Sequence, residues 1–328
     1  IAPQGLDILF SEDRIENGRN FMNKLWNSAR FILMNIEDSI DDFIEMPNNT
    51  ELDLTDKWIL SKLNNTISNV DKAYESYKMN DAVKIVYEFV YSDFCDWYIE
   101  LSKTRFYGED KKQRDTALNV ATYCMRIILK LLHPYTPYIT EELWSYFSTH
   151  NEKMLILESW PKTDQNQINK NIEEDLELIK KTISSIRNLR AEMNISPGKE
   201  IDIIIKSSKQ NLDTFKTLST YISRLAKISN ITIDESAIKP DQSASIVIDN
   251  NEIFIPLSGI IDLNIEIERL TKQLDAYNGR LNNVNNKLNN KNFTDRAPKD
   301  IVNHEKKKRA QYQSTLKKIE DNLKSLKN

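Results

Sequence analysis

Asn20, Lys24, Asn27 and Phe31 fall at i, i+4, i+7 and i+11, with Asn23 and Arg30 beside them. On a helix these positions form one stripe. Amides, cations and an exposed ring are what unstacked RNA bases require: donors and acceptors for base edges, charge for phosphates, and a plane for stacking. The alternative is an ordinary polar face with Phe31 tucked against a neighbouring helix. The stripe alone leaves both open.

Catalytic chemistry is harder to find. His133, His150 and His304 lie far apart, and their spacing fits neither a metal site nor a proton shuttle. His133 precedes Pro134 at a predicted helix end, where a capping or dipole role is expected. Cys95 and Cys124 lack zinc spacing with His133 and are expected to pack in a core. Glu141-Glu142 resembles an acid–base pair, but the start of a helix already explains two adjacent acids. No phosphate loop, dinucleotide fingerprint or serine elbow occurs. Binding, not catalysis, is the expectation.

The 328 residues predict two or three domains. A hydrophobic share of 40% lies slightly under the globular norm of about 45–50%, so surface-rich parts are expected beside a core. Six glycines argue against glycine-rich loops and against a loop-rich β fold. Two cysteines suit a reducing compartment. No apolar run approaches the roughly 18–20 residues of a membrane span. Beginning at Ile1 without Met or a signal peptide, the sequence reads as a fragment of something longer. Arg280–Asn328 carries 13 Lys/Arg against 5 Asp/Glu, a net of +8, which with −4 overall leaves −12 on residues 1–279. A basic end on an acidic body fits contact with a polyanion, and equally a solvated lysine-rich coiled coil.

The elements that must position these residues follow from periodicity. A first helix opens at Ser11 with an apolar stripe of Ile15, Met22, Leu25, Trp26, Ala29, Ile32 and Leu33. Others are predicted over about 54–79 (Tyr77 inward), 80–103 (capped by Asn80, Trp97 inward) and 110–132, the last stopped by His133-Pro134. Thr140 is expected to restart the chain as a helix. A long helix over about 172–193 precedes strands at 201–206, 228–233, 244–249 and 252–257, with one helix at 211–226 and a hairpin turn at Asn250-Asn251. Leu263, Ile267, Leu270, Leu274, Tyr277, Leu281, Val284 and Leu288 step by four and three as a heptad seam, answered by Val302, Tyr312, Leu316, Ile319, Leu323 and Leu326. Each arm of this hairpin is about 45 Å long at 1.5 Å per residue. Its turn end is basic, with Lys287, Lys291, Arg296, Lys299 and Lys306-Lys307-Lys308-Arg309.

The fold class is therefore mainly α. A helix bundle (1–150) is followed by a small α+β connector with one long helix (151–258) and an antiparallel two-helix coiled coil (259–328).

The segment Gly18–Phe31 (GRNFMNKLWNSARF) resembles the opening of the anticodon-binding domain of class Ia aminoacyl-tRNA synthetases, the valine enzymes above all. Asp93–Lys103 (DFCDWYIELSK), Leu132–Trp144 (LHPYTPYITEELW), Ile186–Asn194 (IRNLRAEMN) and the arm around 265–270 and 292–298 agree, in the same order. The resemblance covers almost the whole chain. It implies an ATP-dependent ligase joining valine to its tRNA, a cytoplasmic monomer using ATP with Mg. This chain would be the tRNA-binding C-terminal region, with no cofactor or metal of its own. The H-I-G-H and K-M-S-K-S signatures of the catalytic domain are absent, so the chain alone is expected to be inactive. By motif match Lys24, Arg30 and Phe31 face the anticodon, with Asn27 added from geometry. Lys291, Arg296, Lys306, Lys307, Lys308 and Arg309 are expected to meet the outer body of valine tRNA. Arg187 and Arg190 match the motif without a physical role. Two rivals remain: a coiled-coil protein-interaction module, and the same region of another class Ia enzyme.

Overall fold

The computed structural model of the chain describes residues 12–36, 40–43, 51–149, 154–260, 263–290 and 299–327. They fall in two units, Ile1–Glu177 and Leu178–Asn328.

The first unit is helical. Helix α1 (Glu12–Met34) has acids in its first turn; the expected cap, Ser11, lies outside the described residues. Its neighbours cover Phe21, Leu25, Ala29 and Ile32, while Ile15 and Trp26 at the stripe's edges are exposed. Helix α2 (Leu54–Glu75) starts in a capping box: Asp53 accepts from the backbone N–H of Asp56, and Asp56 from that of Asp53. It ends earlier than periodicity predicts, because Tyr77 turns to φ 57° and points outward. Helix α3 (Met79–Glu88) then starts, with Lys78 and not Asn80 at its cap.

The single helix predicted over 80–103 is interrupted. Residues Phe89–Tyr98 form a π-helix before α4 (Ile99–Phe106) resumes. The π-helix buries Phe89, Val90, Phe94, Cys95 and Tyr98. The Phe94 and Tyr98 rings stack at 6.0 Å, and Trp97 is only half-buried.

Asp110 caps α5 (Lys111–Leu132), which stops before His133-Pro134 as predicted. Helix α6 (Pro137–Phe147) begins a turn before Thr140, since a proline at its first position is already shaped for the helix. Thr140 is buried, its hydroxyl 2.8 Å from His133 Nδ1, and the Glu141 carboxylate accepts the Leu155 N–H.

Helix α7 (Lys170–Glu192) spans the boundary between the units. In the second unit a four-stranded sheet has the order β2-β1-β4-β3, with β1 (Ile201–Lys206), β2 (Ile228–Asp234), β3 (Ser243–Ile248) and β4 (Asn251–Pro256). β1 and β2 are parallel, and the other pairs antiparallel. The crossover predicted as one helix is two, α8 (Lys209–Thr217) and α9 (Ser219–Ala226). The hairpin turn is Asp249-Asn250, one residue earlier than expected, with Asp249 at φ 51°. Asn251 pairs with Ile248 and is buried, accepting the Ser207 hydroxyl.

Arg190 has a structural role in the second unit. Buried at the end of α7, its guanidinium donates to the carbonyls of Ala226, Lys227, Ser196 and Lys199 at 2.5–3.0 Å. Arg187 Nε donates to Leu225 O at 2.8 Å. Together they satisfy the free carbonyls at the end of α9 and fix the turn that launches β1.

Helices α10 (Leu263–Asn289) and α11 (Lys299–Lys327) close the chain. The Tyr277 and Tyr312 rings meet at 5.8 Å, and Lys287 Nζ lies 3.8 Å from Glu305, so the two run antiparallel. Leu270, Val284, Val302, Leu316, Ile319 and Leu323 are buried on the predicted seam. Glu305 occupies the seam position between Val302 and Tyr312 and is buried too, which accounts for the weak start of the second seam.

Candidate nucleic-acid interface

Helix α1 and the π-helix with α4 enclose a groove of about 480 Å³. Asn20, Asn23, Lys24, Asn27, Ser28 and Phe31 line it from α1; Cys95, Asp96, Ile99, Glu100 and Lys103 form the facing wall. Among the described residues the side-chain amides of Asn20, Asn23 and Asn27 have no hydrogen-bond partner, and all three residues are exposed. Their donors and acceptors are open to the groove. Phe31 is half-buried, packed on Phe106 (centroids 5.8 Å) and Tyr107 (6.3 Å), yet it still lines the groove. Phe31 is thus tucked against a neighbouring helix, and part of the ring faces the groove.

Lys24 is not free. Its ammonium lies 2.5 Å from Asp96 Oδ1 and 3.3 Å from the centre of the Tyr91 ring. Cys95, on the groove floor, accepts the Ser28 hydroxyl at 3.1 Å, and burial pushes its thiol up to about 11.

Arg30 lies elsewhere. With Trp26, Leu33 and Met34 it lines a separate apolar cleft of about 320 Å³, closed by Leu143 and Tyr146 of α6. The stripe read from sequence is therefore divided: Lys24, Asn27 and Phe31 share the groove, and Arg30 does not.

On α11, Lys306, Lys307 and Arg309 are exposed and make no ion pair among the described residues. Lys308 Nζ lies 3.4 Å from Glu305 and is partly withdrawn. Lys291 and Arg296 lie outside the described residues.

A family model described as the anticodon-binding domain of tRNA ligase matches residues 56–205, and one described as the valyl tRNA synthetase tRNA binding arm matches 262–327. Curated relatives match across both. Valine–tRNA ligase of Fusobacterium nucleatum is 36% identical over 328 residues, that of Clostridium acetobutylicum 37% over 324, and that of Listeria innocua 35% over 328. The chain belongs to the valyl-tRNA synthetase family. It carries that family's anticodon-binding domain and tRNA-binding arm. Each of these alignments covers 98% of this chain and 36% of the relative, so the chain spans about a third of their length.

Residue types and spacing do not mark the facing wall. Asp96, Glu100 and Lys103 sit in the segment Asp93–Lys103 that carries the family likeness, and the family model's match includes them. Yet spacing within that segment gives no sign that α1 lies opposite. No helix among the described residues is long and apolar enough to cross a membrane.

Proposed function

We propose that this chain binds valine tRNA at two places, as the non-catalytic region of a cytoplasmic, monomeric valine–tRNA ligase. Segment 1–150 receives the anticodon, 151–258 connects, and 259–328 is a coiled-coil arm on the outer body of the tRNA. The observation that carries this reading is the groove, where three uncommitted amides adjoin the edge of a fixed aromatic ring. Amides read base edges and the ring stacks, which suits single-stranded anticodon bases better than a duplex. The heptad seam and the antiparallel ring contact support a coiled coil.

Truncating Phe31 to Ala is expected to weaken binding of an isolated valine anticodon stem-loop by about 1–3 kcal/mol. Asn27→Ala should weaken it less, by about 0.5–1.5 kcal/mol for one hydrogen bond. Fluorescence anisotropy with labelled stem-loop measures both, with circular dichroism as the folding control. Equal affinities for both variants and the parent would make the groove a plain surface.

Catalysis belongs to other parts of the ligase. ATP and Mg serve the parent enzyme; neither catalytic signature occurs in this chain. The purified chain is expected to give no valine-dependent exchange between ATP and pyrophosphate, and exchange above background would refute this.

A further inference from the structure

Each lysine of the groove is held by a carboxylate. Lys24 reaches across to Asp96, and Lys103 pairs with Glu100 at 2.5 Å on the same wall. Asp96 and Glu100 lie four residues apart in sequence. Their side chains keep 50% and 43% of their exposure, so neither pair is buried deeply enough to add much stability. Both ammonium groups also sit near rings, Lys24 over Tyr91 and Lys103 at 5.5 Å from Phe31. The lysines are therefore oriented but carry little net charge into the groove. A phosphate entering here meets a carboxylate oxygen beside each ammonium. A neutral base edge meets N–H donors and carboxylate acceptors without that repulsion.

Lys306, Lys307 and Arg309 on α11 are the reverse case, exposed and without ion pairs among the described residues. One surface offers open charge; the other offers charge already matched.

We infer that Asp96 and Glu100 are specificity-determining residues, which neutralise Lys24 and Lys103 so that the groove takes base edges and refuses bare phosphate. The inference rests on the groove being an RNA site. Phosphate contacts bind any sequence, so suppressing them leaves discrimination to the bases.

The test compares the parent with Asp96→Asn/Glu100→Gln on two RNA probes, a valine anticodon stem-loop and the same stem with a loop of uridines only. Freeing two lysines should steepen the log–log salt slope by roughly 1.4–1.8, at about 0.7–0.9 per phosphate contact. Between 200 and 50 mM salt the variant should then gain about tenfold more on the uridine loop than the parent does. Adding Lys24→Gln and Lys103→Gln should return the slope to the parent's. An unchanged slope in the first variant, with circular dichroism intact, overturns the inference even where the parent prefers the anticodon loop. A gain in the variant beside a parent indifferent to the loop supports the masking and counts against the anticodon reading instead.

Discussion

Replacing Arg105 with methionine is expected to destabilise the first unit by about 3–5 kcal/mol. Asp56 is completely buried, and it accepts from Arg105 Nη1 at 2.5 Å, Arg105 Nη2 at 2.7 Å and the Tyr98 hydroxyl at 2.8 Å. The same carboxylate takes the Asp53 N–H in the cap of α2. Tyr98 remains a neutral donor, because burial and then the Asp56 carboxylate push its hydroxyl well above the ordinary value. Methionine fills much of the space of arginine and leaves the negative charge uncompensated. That uncompensated charge, more than the lost attraction, sets the magnitude. Replacing both partners, as Asp56→Leu/Arg105→Met, should recover much of the loss, short of about 1 kcal/mol for the cap.

All five tryptophans lie between Trp26 and Trp160, so fluorescence during urea unfolding reports the first unit alone. The single variant's midpoint should fall by on the order of 2 M. A loss under about 1 kcal/mol would mean that the Asp56 carboxylate does not depend on Arg105. Stem-loop affinity should fall as well, since Arg105 anchors the helix that carries Glu100 and Lys103.

Replacing Lys306, Lys307 and Arg309 with Gln should flatten the salt dependence of binding to whole valine tRNA. Three lost phosphate contacts take roughly 2–2.7 from the log–log slope. Between 200 and 50 mM salt the parent should therefore gain about 20- to 40-fold more than the variant. Lys308 is left in place because Glu305 holds it. The seam packs through Val284, Val302, Leu316 and Ile319, so the arm should keep its helicity without these charges. Affinity for the isolated anticodon stem-loop should not change. If the triple variant binds whole tRNA as the parent does across the salt range, the arm does not meet tRNA through this cluster. The exposed face of α11, where Ile301 is 46% accessible, would then be the place to seek a protein partner.

The sequence by itself determined most of the elements, though neither the π-helix nor the break between α8 and α9. Apolar spacing gave α2, α5, α7, α10 and α11 to within a few residues, and β-branched runs gave the strands. His133-Pro134 ended α5 because proline cannot continue a helix through its missing N–H. These signals are local: each depends on residues within one or two turns. The five quoted segments also carried the family likeness, since motif order is itself linear.

Tertiary structure decided what faces what. A helical stripe fixes the angle of each side chain about its own axis, and says nothing of what packs over it. Asn27 and Arg30 are neighbours on α1, yet one opens into the groove and the other into the cleft beneath α6. Lys24 meets Asp96 across 72 residues of chain, through packing of α1 on the π-helix. Periodicity does not reveal that π-helix, because Val90, Phe94 and Tyr98 at i, i+4 and i+8 would also share one face of an ordinary α-helix. The sheet order β2-β1-β4-β3 and the role of Arg190 likewise depend on partners that no spacing within a segment reveals. Periodicity is a property of one element, whereas a site is formed between elements, and only the packing of side chains across long sequence separations selects its members.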